Sequence, residues 1–223
     1  MSIRAPLYHF CVMNRRLLSI LLGLGLGVLI TLMLLRGPNG QMPGLSLDEA
    51  EEYTPWPAPD PSFLSLAGDT LRVSQFRGTH VALFFGYTWC PDVCPITLAQ
   101  LGKAATELDP DGDKLRLLFV SLDPYRDTPE RLATWTQAFH ADVVSLTGDL
   151  ELLRAAAWDW GIDFRYRTLP TPGEVVDVPP SDAGYLVDHT ARTFLIDPEG
   201  RVIAQVAPET DGATLQRLLE RIL

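Results

Sequence analysis

Thiols are scarce in this chain: three cysteines in 223 residues are too few to build a disulfide-stapled miniature fold, and a chain of this length needs no such staples. Positive charge is scarce too, once the first 36 residues are passed. That opening stretch holds Arg4, Arg15, Arg16 and Arg36 and no acid, which leaves 14 of the 18 basic side chains facing all 28 acidic ones over the remaining 187 residues, a formal charge of −14. Phosphate binding requires clustered positive surface, so no nucleic-acid partner is expected. The acidic surplus reads chiefly as solubility, although it could also draw a cationic partner. No internal repeat is present. With 47% hydrophobic and 21% charged residues, the chain has material for one domain of ordinary core size and an appendage.

The appendage is N-terminal. Leu17 to Leu35 is a run of nineteen residues without a charge, and as a helix it would be about 28 Å long, close to the hydrocarbon thickness of a bilayer. Arg15 and Arg16 stand just before it, and the acids Asp48, Glu49, Glu51 and Glu52 follow it. The basic excess ahead of the run places residues 1–16 in the cytoplasm, 17–35 across the membrane and the rest on the far side. A cleavable signal peptide is the alternative, but the run exceeds a usual signal core and ends in Leu34-Leu35-Arg36-Gly37-Pro38-Asn39, without small residues at cleavage spacing. Residues 36–60, with Pro38, Pro43, Pro55, Pro57 and Pro59, read as an extended tether, and residues 61–223 as the folded domain. Without an Arg- and Ser-rich transit segment, the expected location is a bacterial inner membrane with the domain facing the periplasm.

In the domain, apolar runs of strand length alternate with amphipathic stretches, the pattern of a sheet covered by helices. Val81 to Tyr87 is one such run, and it leads straight into Trp89-Cys90-Pro91-Asp92-Val93-Cys94-Pro95; a helix follows to about Leu108, striped by Leu98, Leu101, Ala105 and Leu108. Leu115 to Leu122 is a second buried strand. Asp127-Thr128-Pro129-Glu130 carries a cap, an early proline and an early acid, and opens a helix to about Phe139. A short strand at 143–146 and a helix at 150–160 come next. Thr168 to Ala183, with Pro170, Pro172, Pro179 and Pro180, has no periodicity and reads as an inserted loop or hairpin. Thr193–Ile196 and Arg201–Val206, joined by Asp197-Pro198-Glu199-Gly200, form a hairpin before a closing helix striped by Leu215, Leu218, Leu219 and Ile222. Parallel strands that end in an antiparallel hairpin, with helices flanking the mixed sheet, give an α/β, thioredoxin-like fold.

Cys90 and Cys94 therefore sit at a strand-to-helix junction. At i and i+4 of a helical turn their Cα atoms would be about 6 Å apart, so the two thiols can oxidise to a disulfide or bind one ion together. The positive end of the helix favours thiolate, and Pro91 suits a first turn. A structural disulfide or a pair of idle thiols fits the spacing as well, and Cys11, alone, reads as a free thiol. Two thiolates make a soft site for Cu(I), zinc or redox sulfur chemistry, and a third ligand would discriminate among these. Histidine is the candidate, from His9, His80, His140 and His189; position alone gives His189, just before the strand at Thr193, little advantage.

Three segments together carry more. Phe85-Gly86-Tyr87-Thr88-Trp89-Cys90-Pro91-Asp92-Val93-Cys94-Pro95, Ser121-Leu122-Asp123-Pro124-Tyr125-Arg126-Asp127-Thr128-Pro129 and Val187-Asp188-His189-Thr190 resemble, in content and order, the Sco/SenC family of copper chaperones over roughly residues 60–222. The resemblance implies copper ligation by Cys90, Cys94 and His189, as Cu(I) or Cu(II), and a metallochaperone rather than an enzyme. It further implies delivery to the binuclear copper centre of cytochrome c oxidase, with that enzyme's copper-bearing subunit or another copper acceptor as partner. Asp123 and Asp127 belong to the second motif and are secondary candidates; a helix cap is the plainer role for Asp127. Trp89 departs from the polar residue expected before the first cysteine, and Ala191 stands where ordinary thioredoxins have a cis-proline. A thiol-disulfide reductase that keeps a partner's copper-binding cysteines reduced is the alternative, and either role implies a periplasmic thiol reductant for the oxidised pair. A thiol peroxidase is the third possibility; Thr88 and Arg192 are present for it, without a peroxidase motif.

Overall fold

The two longest apolar runs of the domain lie side by side, each buried almost throughout. A computed structural model describes residues 54–169, 173–179 and 184–223. In chain order the elements are β1 (Trp56–Pro57), β2 (Phe63–Ser65), β3 (Thr70–Leu71), β4 (His80–Gly86), α1 (Val93–Leu108), β5 (Leu115–Ser121), α2 (Pro129–Gln137), β6 (Val144–Thr147), α3 (Leu150–Asp159), β7 (Phe164–Thr168), β8 (Val175–Val176), β9 (Tyr185–His189), β10 (Thr193–Ile196), β11 (Arg201–Val206) and α4 (Gly212–Glu220). Segments 1–16 and 17–35, expected to be cytoplasmic and membrane-spanning, lie outside the described residues. Among the described residues no helix is long and apolar enough to cross a membrane.

The main sheet has the order β1-β11-β10-β4-β5-β6-β2-β3. β4, β5 and β6 are parallel, and β10 and β11 form the expected antiparallel hairpin alongside β4. Strands buried on both faces read as continuous hydrophobic runs, which is why these stood out in the sequence. Successive residues of β4 serve opposite faces. Phe84 meets Phe119 (6.1 Å between rings), which stacks against Trp135 of α2, while Phe85 meets Phe63, Phe194 and Trp160. α1 packs beside α4. Asp149 and Asp211 cap α3 and α4 by accepting from Leu152 and Thr214 N–H.

One stretch differs from its sequence reading. The tether is packed over its last described residues: Trp56 and Pro57 pair with Val202 and Arg201, and Asp60 accepts from the Ser74 N–H and hydroxyl. Trp56 has an apolar partner in Trp160, 6.2 Å away, and an edge strand tolerates proline. After Thr168, where the sequence reads as an inserted loop or hairpin, the described residues form a hairpin: β7 and β8 belong with β9 to a second, small sheet, β8-β7-β9. There β7 pairs with β9 from Phe164↔His189 to Thr168↔Tyr185, and β8 folds back on Tyr166 and Arg167.

Candidate metal centre

The parallel strands end where the dithiol begins. After β4 the chain turns through Tyr87, whose carbonyl accepts from Cys90 N–H, and α1 starts only at Val93. Cys90 therefore lies in the loop, and Pro91 precedes the helix, two residues later than the sequence suggested; Pro95 occupies the first turn, where its missing N–H costs nothing. Cys94 is fully buried and Cys90 half-buried. The Cys94 sulfur rests against the bare backbone of Gly86, where a Cβ would come within 2.8 Å of Sγ and 3.0 Å of the Phe119 ring. Glycine at 86 thus makes the thiol's seat.

His189 reaches this seat from the end of β9. Its Nε2 is 3.5 Å from Cys94 Sγ, and its Nδ1 is 3.2 Å from the Thr190 carbonyl. A carbonyl only accepts, so Nδ1 carries a proton toward Thr190, and Nε2 is the nitrogen turned to the sulfurs. Tyr87 and Phe84 pack against the imidazole at 5.8 and 6.5 Å, ring edge to face. The ligand atoms of Cys90, Cys94 and His189 all lie within 4.8 Å of one another, the one such group among the described residues.

The two thiols are electrostatically unequal. Hydrogen bonding from Cys94, helped by His189 and by the backbone N–H groups of Asp92 and Cys94, lowers the Cys90 pKa to about 4 against the opposing effect of burial. Burial, reinforced by the neighbouring Cys90 charge, pushes the Cys94 thiol well above its ordinary range. The helix start thus favours one thiolate, on the half-exposed sulfur.

Neither secondary candidate has its carboxylate at the sulfurs. Asp127 accepts from Thr88 N–H (3.0 Å), Thr88 Oγ1 (2.6 Å) and Ser121 Oγ (2.6 Å), tying the thiol loop to the end of β5; burial raises its pKa while the Ser121 and Thr88 bonds oppose. The cap of α2 is Thr128, which accepts from Arg131 N–H. Asp123, wholly buried, binds Arg126 Nε (2.6 Å) and the Tyr185 hydroxyl (2.7 Å). Trp89 is 52% exposed, with the Arg131 guanidinium 4.1 Å and that of Arg126 5.6 Å from its ring centre. Thr88 also receives Arg131 Nε, and Arg192 reaches Gln205. Sequence reasoning missed Gly86, Tyr87, Arg126 and Tyr185. All but Tyr185 lie inside the quoted motifs, the only signal available for them.

A dithiol at a strand-to-helix junction, completed by an imidazole from a distant strand, defines a thioredoxin-like protein with a site suited to a soft metal or to disulfide exchange. The SCO1/SenC family model matches residues 59–223, and the chain belongs to that family. It is similar to apo Sco1 of Thermus thermophilus, with 38% identity, 76% of this chain and 93% of that one covered, and a TM-score of 0.63. Yeast Sco1 with copper bound is 28% identical, with 75% and 88% covered and a TM-score of 0.63. Mitochondrial SCO2 of Saccharomyces cerevisiae is 34% identical over 157 residues, which are 70% of this chain and 49% of that protein. The chain thus spans about half the length of that relative.

Proposed function

We propose that this protein is a membrane-anchored copper metallochaperone that carries copper on Cys90, Cys94 and His189 and helps assemble the binuclear copper centre of cytochrome c oxidase. The observation that carries this reading is the convergence of two sulfurs and an imidazole nitrogen within 4.8 Å. Copper in the related yeast Sco1 supports it. Cu(I) suits the two thiolates with or without the imidazole, and Cu(II) draws more on the nitrogen, so both ions can be held and passed on. Cys90 is already a thiolate; loading copper on both sulfurs expels the proton of Cys94. The residue 17–35 span would hold the protein in the inner membrane, N-terminus in the cytoplasm and domain in the periplasm. The recipient would be the copper-bearing oxidase subunit or another copper acceptor.

The unequal thiols favour a second activity at the same site. The Cys90 thiolate attacks a partner disulfide and releases one partner thiolate; Cys94, its proton passing to that thiolate, then attacks Cys90 Sγ and releases the second. The partner gains two electrons, and the Cys90–Cys94 disulfide formed must be reduced by an external thiol before copper can bind.

An anaerobic copper titration of the reduced full chain in a Cys11→Ser background tests the first reading. One equivalent bound, with a sulfur-to-copper charge-transfer band lost in Cys90→Ser and Cys94→Ser and a Cu(II) resonance signal altered in His189→Ala, is the expected result. No stoichiometric binding alongside intact disulfide exchange would leave the reductase. A reporter fused after Arg36 that is active only outside the cytoplasm is expected; a cytoplasmic signal would overturn the topology.

A further inference from the structure

The ligands come from two separately built pieces: the thiols hang from the main sheet, whereas His189 ends β9, which pairs only with β7 among the described strands. Where the imidazole stands relative to the sulfurs therefore depends on what ties the small sheet to the thiol loop. Arg126 touches both. Its Nε and the Tyr185 hydroxyl share the Asp123 carboxylate, its Nη1 donates to the Tyr185 carbonyl at 2.9 Å, and its guanidinium carbon lies 3.5 Å from the Tyr185 ring centre. On the other side it stands 5.6 Å from Trp89 and 5.9 Å from Tyr87, the residues leading into Cys90; Tyr87 in turn packs on His189. Its remaining nitrogen, Nη2, is buried without a hydrogen-bond partner, its charge met by these ring faces.

We infer that Arg126, clamped by Asp123 and Tyr185, is the positioning residue that sets His189 against the thiols, and so governs three-ligand Cu(II) binding while leaving two-thiolate Cu(I) binding alone. This rests on the copper reading above. The physical ground is shape: a planar guanidinium can bond sideways to a carboxylate and a carbonyl while stacking flat on a ring, and an ammonium cannot. Arg126→Lys keeps the charge beside Asp123 and removes the rest. Tyr185→Phe keeps the ring and removes only its bond to Asp123.

The test compares wild type, Arg126→Lys, Tyr185→Phe and His189→Ala as full chains in a Cys11→Ser background. Outer partners of metal ligands are commonly worth about tenfold or more in affinity, so Arg126→Lys is expected to weaken Cu(II) binding about tenfold, with altered nitrogen hyperfine coupling, and Tyr185→Phe to weaken it less. Cu(I) affinity and disulfide-exchange rate should stay within about twofold of wild type. Unchanged Cu(II) binding in Arg126→Lys, or equal losses for both ions, would overturn the inference. Should Arg126→Lys fail to fold, unchanged Cu(II) binding in Tyr185→Phe would do the same. If wild type binds no copper, the copper reading falls by itself; the positioning role is then decided in the metal-free protein by proton NMR contacts between His189 and the Tyr87 ring, expected to weaken in both variants. Their persistence at wild-type strength would refute it.

Discussion

The thiol side and the histidine side of the site are built by opposite means. Cys90 and Cys94 are four residues apart, at the end of a strand buried on both faces and the start of a long helix, and Cys94 is fitted against Gly86. His189 is 95 residues from Cys94, on a small sheet fastened by a few tyrosine and arginine contacts. The thiol geometry is therefore inherited from the hydrophobic core, at no extra cost in ordering, whereas the imidazole is held by discrete polar bonds that can be altered one at a time. A carrier that binds and releases a metal gains from such a division, because a soft pair that stays fixed and a third ligand that can be adjusted let the two oxidation states be held differently.

The sharpest contrast is expected inside the thiol pair. Iodoacetamide should alkylate Cys90 faster than Cys94 by about a hundredfold or more at neutral pH, as mass spectrometry of partly modified protein would show. The Cys90 pKa is depressed, so its contribution to stability is fully present above the unfolded-state thiol value and is lost as pH falls through about 4. The alkylation rate should follow the same thiolate, staying nearly flat from about pH 8 to about pH 5 before it drops; a midpoint near the ordinary thiol value would remove the asymmetry. Next in size is Asp127→Ala. It strands the Thr88 N–H and the Ser121 hydroxyl in the interior and should cost about 3 kcal/mol in urea unfolding, whereas a loss under about 0.5 kcal/mol would show that the thiol loop is held by packing alone. Gly86→Ala pushes a Cβ toward the Cys94 sulfur and should cost about 2 kcal/mol by overpacking while disturbing Cu(I) and Cu(II) alike. The smallest change belongs to the histidine side: Tyr166→Phe removes the bond to the Leu122 carbonyl, 3.0 Å long, that helps fasten the small sheet. It should cost about 1 kcal/mol and shift Cu(II) affinity more than Cu(I) affinity. An equal effect on both ions would erase the division.

The same division explains what could be read from the chain. The dithiol at a strand-to-helix junction was legible because both signals are local: an uninterrupted apolar run and a four-residue spacing. The hairpin and the helices that carry apolar stripes were legible for the same reason. His189 entered through family resemblance, since no periodicity links a histidine to cysteines so far upstream. Asp127 read as a cap because Asp127 and Thr128 both precede Pro129 and either could cap; only the tertiary structure reveals that Ser121 and Thr88 claim the aspartate and leave the helix to Thr128. The Asp123–Tyr185 bond spans 62 residues and left no local trace. The Trp56–Pro57 strand was hidden for another reason: two residues are too few for any alternation to show.

The nitrogen that faces the sulfurs is chosen by a main-chain oxygen, that of Thr190. Every amino acid brings such an oxygen, so the orientation of the ring is insulated from substitution at that position: side chains at 190 can drift without turning Nε2 away from the thiols. What drift there would put at risk is the side-chain contact in which the Thr190 hydroxyl accepts from Asp163 N–H. Sequence change in this corner of the molecule should therefore show first as a loosened histidine strand, and only afterwards, if at all, as a changed donor atom.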